Sequence, residues 1–86
     1  MHYVIPVVFR VTRRGDWEGS LDVVYANVRE DGLETANSGD RYSNDWYLNQ
    51  TRLAKPEEYA DKLAEMNSIT FGEDTWEFIP VRKRVF

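Results

Sequence analysis

Residues 3–13 hold the longest run of strand-forming side chains, with Val4, Ile5, Val7, Val8, Phe9 and Val11 apolar at odd and even positions alike. A strand with one wet face alternates apolar and polar residues, so this run predicts a strand covered on both faces, at the centre of a sheet. Residues 13–20 follow with Gly15, Asp16, Gly19 and Ser20, the chemistry of a hairpin loop. Residues 21–29 carry Val23, Val24, Tyr25, Ala26 and Val28 and predict the returning strand. Asp31-Gly32 suits a tight turn into a short third strand at 33–35.

Residues 36–45 have little to bury except Tyr42 and predict an exposed loop. In residues 46–53 an extended chain puts Trp46, Leu48, Gln50 and Arg52 on one face and Tyr47, Asn49, Thr51 and Leu53 on the other. Neither face is cleanly apolar, which predicts an edge strand, with a short helix as the alternative. A helix over 55–67 has the clearest signals. Pro56 suits a first helical position, Glu57 and Glu58 complement the positive end of the dipole, and Tyr59, Leu63 and Met66 form a stripe that Ala60 and Ala64 widen. Residues 69–71 predict a short extended piece, 72–74 a turn, and 75–86 the last strand. Pro80 places that strand at an edge or a bulge, and Pro6 raises the same question for the first.

These elements predict one α+β domain over residues 1–86. Its sheet is small and antiparallel, of three to five strands in the rough order β-β-β-α-β, with the 55–67 helix on one face. The second face is then open to a homodimer.

Composition adds a charge asymmetry. The net charge is −4. The bases Arg10, Arg13, Arg14, Arg82, Lys83 and Arg84 sit toward the two ends, whereas all fifteen acids lie between Asp16 and Glu77 with only five bases among them. No stretch approaches the ~20 apolar residues of a spanning helix, and no secretion signal precedes the first strand, so the expectation is a soluble cytoplasmic protein with no membrane partner.

Few catalytic mechanisms fit. The absence of cysteine removes thiol chemistry and thiolate zinc sites, and the single histidine, His2, stands where fraying is expected. The paired acids Glu30-Asp31, Glu57-Glu58 and Glu73-Asp74 are explained by turns and by a helix N-terminus. No Gly-rich phosphate loop occurs. The expectation is a chain without catalytic residues, metal or cofactor.

Aromatic content points to recognition instead. The chain has three Trp and five Tyr, and several lie in or beside polar segments. Trp, Tyr and Arg are the residue types enriched at interface hot spots. The sequence therefore predicts a non-catalytic protein-binding domain, an inhibitor or adaptor of another protein, displaying Trp17, Asp40, Tyr42, Asp45, Trp46 and Tyr47. Small acidic domains of this kind suit a phage or mobile-element protein, including one that mimics nucleic acid with its acids. The alternative is a nucleic-acid-binding domain using Arg10, Arg13, Arg14, Arg82, Lys83 and Arg84.

Overall fold

The chain is assembled on β1 (His2–Thr12), an eleven-residue strand in a computed structural model that describes residues 1–26, 33–34, 41–42 and 44–82. On one edge β2 (Leu21–Tyr25) pairs antiparallel with it, setting Val8 opposite Val24 and Arg10 opposite Asp22. The other edge is shared by two strands laid end to end. β7 (Asp74–Pro80) runs beside residues 2–7, and β5 (Thr51–Leu53) beside residues 10–12. β6 (Thr70–Phe71) folds back on β7, and β3 (Leu33–Glu34) pairs with β4 (Arg41–Tyr42) as a separate ladder. α1 (Asn44–Gln50) and α2 (Pro56–Asn67) complete the described elements.

The fold is thus α+β, a small sheet with α2 on one face, as the hydrophobic pattern predicts. Odd-numbered β1 residues point to α2. Val7 and Phe9 pack with Val23 and Met66, and the Tyr59 ring lies parallel to Phe9 at 4.5 Å between centroids. Even-numbered residues point to α1, where Val24 and its cross-strand neighbour Val8 are buried and Tyr47 packs on Val24. Val7, Val8 and Phe9 are therefore covered from both sides, the arrangement their unbroken apolar run implies.

Four expectations change in detail. β7 is parallel to β1, the exception in an otherwise antiparallel sheet; the two strands are separated by residues 13–73, far more than the long connection that parallel pairing needs. Residues 46–53 are not one edge strand. Side chains are withdrawn from solvent at Trp46, Tyr47, Gln50 and Thr51, a helical spacing, and only Thr51–Leu53 is extended. On α2, Ala60 and Ala64 face water, whereas Lys62 lays its stem against the molecule and turns its ammonium to Glu65 at 3.5 Å. The last strand stops at Pro80.

Pro6 and Pro80 both sit where no ladder donor is needed. Ala26 N–H reaches Pro6 O at 3.0 Å at the point where β2 ends, so the nitrogen of Pro6 faces the edge beyond that strand. The expected turn at 31–32 and most of the loop at 36–45 lie outside the described residues. Among the described residues no helix is long and apolar enough to cross a membrane.

Candidate protein-binding surface

The β1–β2 loop is built from nested turns. Glu18 N–H bonds Gly15 O at 3.2 Å, Ser20 N–H bonds Trp17 O at 3.0 Å, and Gly19 N–H returns to Thr12 O at 2.9 Å. Gly15 and Gly19 take φ of 85° and 89°, values that L side chains rarely adopt, which is why these turns fall at glycines. Trp17 stands at the tip with 74 % of its surface exposed.

At the base of this loop Arg13 N–H donates to Gln50 O at 2.7 Å, tying it to the C-terminal end of α1. α1 in turn displays Leu48, 63 % exposed, and Asp45, while Trp46 is half-buried. The structure therefore carries Trp17 on the loop and Asp45 and Trp46 on α1, two elements joined at the Arg13 to Gln50 bond. Leu48 joins them, a residue that an extended reading of 46–53 hides among its neighbours.

Tyr47 has another place. It is buried, and the Arg10 guanidinium carbon lies 4.6 Å from its ring centroid. Arg10 also donates Nε to Thr51 Oγ1 at 2.7 Å and Nη2 to Thr51 O at 3.0 Å, and the Thr51 hydroxyl donates to Tyr47 O. Burial lowers the Arg10 pKa from its ordinary value; the nearby Tyr47 opposes this and Arg13 adds to it. This knot fixes α1 on the sheet. Tyr42 lies in β4, and Asp40 lies outside the described residues.

The basic residues do not form one face. Parallel pairing sets Val7 opposite Pro80, so β7 ends against the middle of β1, five residues short of its C-terminal end at Thr12. Arg10 is bound over Tyr47 on the α1 side, whereas Arg82 lines a cavity with Phe9 and Tyr59 on the α2 side. Arg13 and Arg14 are exposed in the loop, and Lys83 and Arg84 lie outside the described residues. The described acids are spread as well. Asp16 and Glu18 follow the C-terminal end of β1, and Asp74 bonds the Met1 amine at 3.2 Å at its other end, a separation of about 35 Å for eleven extended residues.

His2 is not frayed. Its Nδ1 lies 2.8 Å from Thr75 Oγ1 and its Nε2 3.1 Å from Glu77 Oε1, because the parallel register sets it directly across from Thr75. A hydroxyl, an imidazole and a carboxylate in this order resemble a hydrolytic triad. They sit on an open sheet face with the His2 and Glu77 side chains 55 % and 51 % exposed. Among the described residues no three His, Asp or Glu side chains gather as metal ligands. Compared with known proteins, the chain matches no family model, no curated protein and no solved structure.

Proposed function

We propose that this chain is a non-catalytic protein-binding domain, an inhibitor or adaptor, whose contact surface is the end of the sheet where the β1–β2 loop and α1 meet. The observation that carries the proposal is Trp17, 74 % exposed on a loop closed by its own backbone hydrogen bonds. A single exposed apolar residue needs no explanation on a protein surface. Trp17 differs because the base of its loop is bonded to α1, the helix that carries the exposed Leu48 and Asp45, so the loop and the helix are held as one unit. A preformed loop also spends little ordering entropy on binding.

The test is affinity capture from lysate of the source organism, at low and high salt and with nuclease, comparing the wild type with Trp17→Ala, Leu48→Ala and Asp45→Lys. All three positions are exposed, so each variant is expected to keep the wild-type circular dichroism spectrum and thermal midpoint. The expected result is a discrete protein that survives nuclease with wild type and is lost with Trp17→Ala. Equal retention by all three variants, or recovery of nucleic acid alone with release by salt, refutes the reading.

A further inference from the structure

We propose that the gap between β5, the end of β7 and the first turn of α2 is a binding site for a small anionic ligand with a flat aromatic body. The gap is a product of topology. β5 runs antiparallel and β7 parallel to β1 on the same edge, so the C-terminal ends of both strands point at each other. Val81 N–H reaches Val7 O at 2.8 Å and Ala54 N–H reaches Phe9 O at 2.9 Å, two carbonyls in succession along that edge. Both chains must then turn away, one into α2 through Lys55 and Pro56, the other out past Pro80.

Their divergence leaves a cavity of about 360 Å³, within the range of small-molecule sites. Leu53 and Pro80 line it together with Phe9 and Tyr59, whose rings are parallel to within 9°. Such rings favour a flat aromatic guest.

Lys55 and Arg82 also line this cavity and set the charge of the ligand. Among the described residues neither side chain makes an ion pair. The neighbouring acid Glu58 attracts the Lys55 charge without pairing with it, because its oxygens already accept from both Arg52 Nη atoms and from the Lys55 N–H, each at 2.8 Å. Two cations beside an aromatic surface thus remain to meet one carboxylate, sulfonate or phosphate group. The helix terminus is not the anchor, because Pro56 has no N–H and Glu58 supplies the cap. A second cavity, of about 240 Å³ and lined by Ile5, Tyr25, Met66, Ile69, Trp76 and Phe78, has no cation and serves as an internal control.

The experiment is a titration of the uniformly ¹⁵N-labelled full chain with 1-naphthoate and, separately, with neutral 1-naphthalenemethanol, followed by amide chemical shifts. Saturable shifts are expected at Phe9, Lys55, Tyr59 and Val81, with naphthoate binding the tighter of the two. Lys55→Gln with Arg82→Gln is expected to weaken naphthoate roughly tenfold and to leave naphthalenemethanol unchanged. Both substitutions lie at exposed positions, and an unchanged spectrum away from the cavity verifies the fold. No saturable shift with either compound, shifts centred on Ile69 and Trp76, equal affinity for the two compounds, or wild-type affinity in the double variant each overturns the assignment.

Discussion

Two carboxylates respond to their surroundings in opposite ways, and the difference is visible in their partners. Hydrogen bonds from Arg52 and then from the Lys55 N–H hold the Glu58 carboxyl down at about 2, against an ordinary value of 4.5. Asp22 is half-buried across from Arg10, and burial raises its carboxyl with only partial relief from the Thr12 hydroxyl at 3.5 Å. The linkage signs follow. A depressed carboxyl adds stability that is complete above the unfolded value and is lost as pH falls toward the folded one, so the Glu58 contribution disappears between 4.5 and about 2. A raised carboxyl is a penalty at neutral pH that acid relieves. We therefore expect Glu58→Gln to be less stable than wild type near neutrality, with the difference closing on acidification through that window. Asp22→Asn is expected to be more stable than wild type near neutrality, with its advantage fading as pH falls through the raised Asp22 value. Urea unfolding midpoints across the acid range read both, and differences independent of pH would contradict the assignments.

At the scale of elements, the same kind of reading succeeds for β1 and α2 and goes astray in α1. β1 and α2 are long enough for period and caps to agree, so the β1 core and the Tyr59, Leu63 and Met66 stripe follow from the residues themselves, although Ala60 and Ala64 turn to water and the Lys62 stem does not. Residues 44–50 are too short for a period to show, and Trp46-Tyr47-Leu48 carries strand propensity. The helix is decided by what Tyr47 meets, namely Val24 and the Arg10 guanidinium, and those partners are distant in the chain. Asn67 is another device that no local pattern announces. At the end of α2 its carboxamide donates to Phe78 O at 3.2 Å and accepts from Phe78 N–H at 2.6 Å, standing in for a neighbouring strand where β7 runs past the two residues of β6. With Pro80 lacking a donor farther along, the outer edge of β7 is blunted. Asn67→Ala should cost about 1–2 kcal/mol, two hydrogen bonds at roughly 1 each. It should also promote self-association through that edge, measured by sedimentation velocity against concentration. Wild-type stability and a monomer at all concentrations would show that the carboxamide clip is dispensable.

The whole molecule depends on β1 more completely than composition conveys. The segregation of charge along the sequence does not become two charged faces among the described residues, because parallel pairing and side-chain alternation send Arg10 and Arg82 to opposite sides of the sheet. The candidate surface was legible only in part for the same reason. Trp17 is marked by its loop, but the tie between that loop and α1 comes from the Arg13 to Gln50 bond, which only the pairing of β1 with β5 brings about. Every strand of the main sheet except β6 pairs directly with β1. Even-numbered groups on it face β2, since Pro6 O and Thr12 N–H bond Ala26 and Ser20; odd-numbered groups face β7 and β5, since Val7 O, Phe9 O and Arg13 N–H bond Val81, Ala54 and Gln50. The side chains of Val7 and Val8 are buried on opposite faces, Val7 in the cluster under α2 and Val8 across from Val24, on which Tyr47 packs, so the two faces are joined through this one strand. Detaching either edge therefore exposes both clusters, which predicts a single cooperative unit. In native-state hydrogen exchange the amides of Val8 and Arg10, facing β2, should show the same opening free energy as those of Val7 and Val11, facing β7 and β5, and that value should equal the free energy of global urea unfolding. Faster exchange confined to Val8 and Arg10 would mean that β2 and the α1-side cluster open on their own, and the Trp17 loop would then be presented by a mobile layer instead of the rigid scaffold its role as an anchor requires.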